Sequence, residues 1–348
     1  MSVTLMEQET RQSPSVIAKQ LQHNDALWQQ ITQTIKEKQP AFALTIARGS
    51  SDHAANFGRY LIETRCKMIC ASAAPSVWTL YDAKPKLDNA LVIAISQSGK
   101  SPDICQALEY AKNHGAITLA LVNDMDAPLA HIAEYAIDLC AGAEKAVAAT
   151  KSYIASLVAM LHFCGHYTKD EPLLDTLKTL PEKLEANLNH NWQSAIDILS
   201  PAQSTMIVGR GLGYPIAQEA ALKLKETSTL HAEAFSSAEI LHGPVALVKP
   251  EYPILLMPQQ DATFEQNLKL AAHLKELGAH LLISAHSQTQ KYFAPYTKHI
   301  LPISQAAHPM LEPLSNITAF YTMANKLSLA RNCNPDQPQN LKKVTKTQ

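Results

Sequence analysis

The sequence predicts an α/β protein of two tandem units, each a doubly wound, mostly parallel sheet flanked by helices. Three observations carry that prediction. Short apolar strands alternate with helical stretches of about a dozen residues, the pattern of parallel sheets covered on both faces. AFALTIARGSSDHAANFGRYLIE (41–63) shares its grammar with STMIVGRGLGYPIAQEAALKLKE (204–226): apolar strand, Arg-Gly, small-residue turn, helix. LVIAISQSGKSPDICQALEYAKNHGAITLALV (91–122) likewise matches ILLMPQQDATFEQNLKLAAHLKELGAHLLISA (254–285). The offsets agree, Gly49 to Gly211 being a shift of 162 and Gly115 to Gly278 a shift of 163, so the chain holds two copies of one βα unit.

In order along the chain, a helix is expected at 14–37 within an N-terminal segment, 1–34. The first unit covers 35–168, with strands near 42–47, 68–72, 91–95, 117–122 and 136–139. Residues 169–199 have apolar spacing suited to helices interrupted at Pro181, and form a connector. The second unit covers 200–331. A polar tail, 332–348, carries Pro335 and Pro338 and on its own composition would be disordered.

Composition excludes several classes. The 348 residues are 46% hydrophobic and 18% charged, which is ordinary for a globular chain and rules out wholesale disorder. A formal net charge of −1 gives no reason to expect nucleic acid as a partner. No basic n-region precedes an apolar run, and apolar stretches such as 254–257 are too short to span a bilayer, so a cytoplasmic protein without a membrane partner is expected. The six cysteines form no CxxC pair, so neither a disulfide framework nor a thiolate zinc site is suggested. His162 and His166 stand at i, i+4, a metal-compatible spacing, but no HExxH pattern accompanies them and no metal is expected.

Chemistry is concentrated in 209–244, GRGLGYPIAQEAALKLKETSTLHAEAFSSAEILHGP. If Pro215 opens a helix, Glu219, Lys223 and Glu226 fall at i, i+4 and i+7 on one face. Such a line is ordinarily a solvated ion-pair face worth a few tenths of a kcal/mol. His231 and His242 follow, the latter in a HGP turn that can project its imidazole. In the first copy the third strand runs into Ser96-Gln97-Ser98-Gly99-Lys100-Ser101 before a helix at Pro102, where the second copy has PQQDATF. Hydroxyls and free amides at a helix N-terminus can cradle an anion, although Ser and Gly are also common capping residues. No Walker A pattern is present, and Tyr214 breaks the dinucleotide GxGxxG pattern at GRGLG, so neither ATP nor a nicotinamide cofactor is implied.

The chain resembles the sugar isomerase (SIS) superfamily, most closely the isomerase half of glucosamine-6-phosphate synthase and the stand-alone amino-sugar-phosphate deaminases. The likeness rests on ARGSSDHA (47–54), SQSGKSPD (96–103), AGAEKAVAATKSY (141–153), the 209–244 block and DQPQNLKKVTK (336–346). It implies phosphate contacts from Ser50, Ser51, Ser96, Gln97, Ser98 and Ser101. It implies that Glu226 moves a proton between C1 and C2, and that His242, from a neighbouring subunit of a homodimer, opens the sugar ring. Lys343 would close over the site and can form an imine, while Glu219 and Lys223 hold the sugar and tune Glu226. Val147 and Ala149 would lie along the sugar.

The chain departs from the synthase pattern AGTEIGVASTK at Ala149, which replaces serine, and Lys343 is followed by Val-Thr-Lys-Thr rather than Ser-Val-Thr. The synthase's glutaminase cysteine is matched here by Ser2, and the first cysteine is Cys66. With no ammonia source, the expected reaction is conversion of glucosamine 6-phosphate and water to fructose 6-phosphate and ammonia, without metal or redox cofactor. A galactosamine-6-phosphate deaminase, a fructosamine-6-phosphate deglycase and a non-catalytic sugar-phosphate sensor remain as alternatives.

Overall fold

The computed structural model describes residues 3–343; positions 1–2 and 344–348, including the Val-Thr-Lys-Thr that follows Lys343, lie outside it. Two compact units divide the chain discontinuously. One gathers residues 15–144 and 151–179 with 342–343, and the other gathers 3–14, 145–150 and 180–341.

The first sheet consists of β1 (Phe42–Ile46), β2 (Ile69–Ser72), β3 (Ala90–Ser96), β4 (Ile117–Val122) and β5 (Tyr135–Asp138), ordered β2-β1-β3-β4-β5. Every pairing is parallel, with Phe42 opposite both Ile69 and Ala90, and Leu91 opposite Ile117. All residues of β3 and β4 are buried, which explains their largely apolar sequences. Leu91, Val92, Ile93 and Ile95 are fully enclosed, each stabilising the fold by roughly 1.5–3 kcal/mol. Val92 and Ala94 face a core closed by Ile104 and Leu108 of the Pro102–Asn113 helix and by Leu129.

The second sheet repeats the design. β6 (Ser204–Gly209), β7 (His231–Ser236), β8 (Pro253–Leu256), β9 (His280–Ala285) and β10 (His299–Pro302) run in the order β10-β9-β8-β6-β7, again all parallel. Numbered within each copy, both sheets read 2-1-3-4-5. Met206, Val208, Ile254 and Leu256 pack with Leu270 and Leu274 of the Phe264–Glu276 helix and with Phe293. The glycines that set the sequence offset are backbone equivalents: Gly49 and Gly211 have φ of 55° and 54°, and Gly115 and Gly278 have 83° and 78°. The duplication and the α/β class are therefore structural facts.

Two expectations need correction. Pro181 does not interrupt the connector, because Glu171–Leu188 is one helix with the proline inside it. Leu173, Leu177, Leu180, Leu184 and Leu188 are buried on one stripe, and that burial outweighs the single lost backbone hydrogen bond. The tail is ordered through the described residues: the Asp336 carboxylate accepts from the Leu5 and Met6 amides at 2.8 Å each, satisfying donors at the start of the Leu5–Arg11 helix. The N-terminal helix expected at 14–37 runs Ser13–Lys38. No helix among the described residues is long and apolar enough to cross a membrane.

In the second unit Glu312 opens the Glu312–Ala330 helix with only 4% exposure and accepts from the Gln260 amide at 2.7 Å. Burial pushes its carboxyl up to about 7, with the Asp261 charge adding and the Gln260 bond opposing. Burial also lowers the His286 imidazole, whose Nε2 lies 3.7 Å from the other carboxylate oxygen. Because the folded chain holds this proton where the unfolded chain has released it, the contribution to stability is complete below pH 4.5 and is lost as pH rises to about 7. Glu312→Gln should flatten that slope in urea denaturation and be the more stable protein at pH 8, by about 1–3 kcal/mol. An unchanged slope would assign the effect to other groups.

Candidate active site

In a sheet ordered 2-1-3-4-5 the chain reverses direction between its first and third strands, and a crevice opens outside their carboxyl ends. In the first unit that crevice is bounded by the exits of β1 and β3. Ser50 and Ser51 occupy the first turn of the Gly49–Leu61 helix, after β1. Ser96 ends β3, Gln97 and Ser98 form the bend, and Ser101 precedes the Pro102–Asn113 helix. The six predicted phosphate residues are thus brought to the two sides of one switch point.

The loop after β3 is shaped by its own amides. Gly99 N–H donates to Ser96 Oγ at 3.1 Å and Lys100 N–H donates to Ser98 Oγ at 3.3 Å. A hydroxyl oxygen that accepts from an amide still has its O–H to donate outward, so both serines remain competent to hold an anion. Gly99 has φ of 62°, and a Cβ there would lie 2.7 Å from both Ala127 Cβ and Val122 Cγ2, so the turn requires glycine. Arg48, leaving β1, reaches across to Asp103 with Nη2 2.9 Å from Oδ2, tying the first turns of the two helices together. Asp52 is raised by burial, against the opposing charges of His53, Arg48 and Arg59.

In the second unit the predicted helix spans Gly213–Ser228 and ends where Thr229 turns left-handed. Glu219, Lys223 and Glu226 share one face, but that face is not solvated. The Glu219 and Lys223 side chains are 0% and 1% exposed. Lys223 Nζ donates to Glu226 Oε2 and lies 3.4 Å from Glu219 Oε1, while the Tyr321 hydroxyl donates to the same Glu219 oxygen at 3.0 Å. Burial alone would lower the Lys223 pKa, yet the two carboxylates more than offset it and hold the ammonium above its ordinary range. Glu226 keeps 21% of its side chain exposed. A buried cation therefore anchors a part-exposed carboxylate.

His242 follows a short helical turn, Glu239–Leu241, its backbone N–H donating to Glu239 O at 2.9 Å, and is exposed beside Gly243, whose φ of 129° makes the bend. His231 starts β7 on the surface. Val147 and Ala149 are half-buried in irregular chain, with Val147 N–H donating to Asp336 O. Lys343 Nζ lies 3.3 Å from Oε2 of Glu144, a buried carboxylate that also accepts from the Ser152 amide and hydroxyl.

Three partners escaped the sequence reading: Glu144, Tyr321 and the Arg48–Asp103 pair. Glu144 had a visible signal, since the glutamate of AGAEK is shared with AGTEI. The other contacts join residues separated by 55 and 102 positions and leave no local pattern.

Comparison with known proteins follows the same architecture. A family model for the SIS domain matches residues 18–164 and 198–330. The chain is 31% identical over 313 residues to the glutamine–fructose-6-phosphate aminotransferase (isomerizing) of Corynebacterium glutamicum, covering 86% of this chain and 50% of that protein. The Aquifex aeolicus enzyme of the same name is 32% identical over 309 residues, with 86% and 51% covered. The chain thus spans about half the length of these curated relatives. Among solved structures, a candidate phosphosugar isomerase from Silicibacter pomeroyi is 35% identical with a TM-score of 0.89, covering 96% of this chain and all of that one. The C-terminal domain of the Francisella tularensis glucosamine–fructose-6-phosphate aminotransferase is 25% identical with a TM-score of 0.87, covering 97% and 99%.

Removing one member of a buried ion network strands the others. Lys223→Met should therefore cost about 3–5 kcal/mol in urea denaturation, and Tyr321→Phe about 1–2 kcal/mol. A Lys223→Met cost below about 1 kcal/mol would mean that the triad behaves as a solvated pair.

Proposed function

Because the chain belongs to the SIS domain family, we propose that it is a phosphosugar enzyme of the isomerase type, converting glucosamine 6-phosphate and water to fructose 6-phosphate and ammonia. The observation that carries this reading is the Glu226 carboxylate, part-exposed and anchored by the buried Lys223 ammonium. An aldose–ketose proton transfer needs such a base, held in place and able to return the proton it takes.

The steps follow from that assignment. The substrate phosphate is held by the hydroxyls of Ser50, Ser51, Ser96, Ser98 and Ser101 and by Gln97, at the helix N-termini that favour negative charge. His242 gives a proton to the ring oxygen as the C1–O5 bond breaks, and the O1 hydroxyl releases its proton as the C1 carbonyl forms. Glu226 then removes the C2 proton of the open-chain aldose and delivers it to C1, while one N–H proton passes to O1, so that C1 becomes a hydroxymethyl group and the amine on C2 a ketimine. Water adds to C2, and the C–N bond breaks with release of ammonia. Glu144 gives Lys343 a seat from which it can close on the sugar or exchange as an imine. Val147 and Ala149 border the sugar.

The exposed position of His242, between exposed Leu241 and Leu247, supports its use by a second subunit of a homodimer. Purified protein should release ammonia from glucosamine 6-phosphate faster than from galactosamine 6-phosphate or a fructosamine 6-phosphate; release from none of them would sink the deaminase reading. Glu226→Gln should lower turnover by about 10²–10⁴ while leaving sugar-phosphate binding in place. A protein with no turnover that binds the sugar equally well in both forms is a sensor.

Subunit sharing has its own test. After verified exchange, an equal mixture of Glu226→Gln and His242→Ala chains should recover about a quarter of wild-type activity, because half of the dimers are mixed and each holds one intact site. No recovery would place His242 in the same subunit's site.

A further inference from the structure

Away from the residues assigned above, the first unit holds a cluster that the reaction does not use. His162 and His166, one turn apart on the Lys151–Thr168 helix, meet Asp25 of the Ser13–Lys38 helix. Asp25 Oδ1 lies 3.0 Å from Nε2 of each histidine, and the two Nε2 atoms are 3.1 Å apart. Three ligand-type atoms therefore form a nearly equilateral triangle.

We propose that Asp25, His162 and His166 form a divalent transition-metal site of the zinc class, with two imidazoles, one carboxylate and an outer position open to water.

The distances fit that assignment. Around a tetrahedral ion with bonds of about 2.0–2.1 Å the ligand atoms stand roughly 3.3 Å apart, so each atom needs to move outward by only about 0.2 Å. The donor set suits zinc, nickel or copper rather than calcium or magnesium, which take oxygen ligands. Protons fill the triangle poorly. With both Nε2 protonated, two N–H groups are pressed to within 3.1 Å of each other; with either bare, its lone pair faces a carboxylate oxygen at 3.0 Å. One cation satisfies all three lone pairs.

Position adds to the fit. His166 lies in the last turn of its helix, where the backbone dipole favours positive charge. It also lines a cavity of about 580 Å³ bordered by Gln29, Lys36 and Glu171, which leaves one side of the triangle accessible. His162 Nδ1 is buried with no hydrogen-bond partner among the described residues, so the usual outer-shell support is missing on one ligand. The site should accordingly be micromolar and exchangeable, linking two helices when occupied.

Zn²⁺ titrated into the metal-stripped full chain by calorimetry should bind saturably with one ion per chain and raise the thermal midpoint. Ni²⁺ should quench Trp28, whose ring centroid is 6.5 Å from that of His162. Asp25→Asn and His166→Gln should each weaken Zn²⁺ binding at least tenfold and abolish the thermal shift, with the metal-free proteins still folded by circular dichroism. Cys140→Ser is the control for a second grouping, His23, Asp138 and Cys140, and should leave Zn²⁺ binding unchanged. The proposal is overturned if wild-type chain shows no saturable binding up to millimolar Zn²⁺. It is equally overturned if Asp25→Asn and His166→Gln bind as wild type, or if Cys140→Ser is the variant that loses the ion.

Discussion

Parallel strand pairing is the constraint from which the rest of this structure follows. Parallel neighbours cannot be joined by a hairpin, so every strand must be followed by a crossover that returns the chain to the same edge. The crossovers cover both faces of each sheet, which is why β3 and β4 are buried throughout. The order 2-1-3-4-5 sends successive helices to opposite sides of β1 and β3 and parts their loops. Ser50, Ser51 and the Ser96–Ser101 loop are neighbours for that reason, although they are distant in sequence. The proposed phosphate cradle would be a consequence of topology before it is one of residue type.

A different cost governs the helix Gly213–Ser228. Enclosing an ammonium is unfavourable unless opposite charge and hydrogen bonds replace its water. Lys223 is fully enclosed, and Glu219 and Glu226 provide that replacement, with the Tyr321 hydroxyl donating in turn to Glu219. Apolar residues of the same volume would stabilise a core at least as well. What they would not do is hold one carboxylate, that of Glu226, in fixed orientation at the edge of the burial. The ion network is best understood as a positioning device whose expense is borne by the well-packed sheet behind it.

Much of this was legible in the sequence. Alternation of apolar strands and helices, and offsets of 162 and 163, revealed the duplication because each copy must repeat the same backbone turns, down to the positive φ of Gly49 and Gly211. The spacing of Glu219, Lys223 and Glu226 revealed a shared face. It did not reveal burial, since the same spacing on a surface helix would read identically; the deciding partner, Tyr321, comes from another helix. Pro181 misled for a related reason: local propensity argued for a break, and an apolar stripe enforced by tertiary packing kept the helix whole. His162 and His166 announced each other at i, i+4, whereas Asp25 lies 137 positions from the nearer of them and carries no local sign of its role.

The two copies differ most where their topology is most alike. In the first unit, the loop after β3 carries the hydroxyls of Ser96, Ser98 and Ser101. In the second, the loop after β8 is Pro258-Gln259-Gln260-Asp261, and the Gln260 amide already donates to the protein's own Glu312. A side-chain carboxyl there takes a hydrogen bond that, in the proposal above, the first copy's loop would give to a phosphate. Burial raises that carboxyl to about 7, so the second crevice is closed by a group neutral enough to be enclosed yet still able to accept the amide. Adding a phosphate would require displacing Glu312 and stranding it unpaired in the core. The duplication therefore repeats the topology in both units, while the loop after β8 is engaged by the protein's own Glu312 and the loop after β3, with its serine hydroxyls, is the one proposed above to take the phosphate.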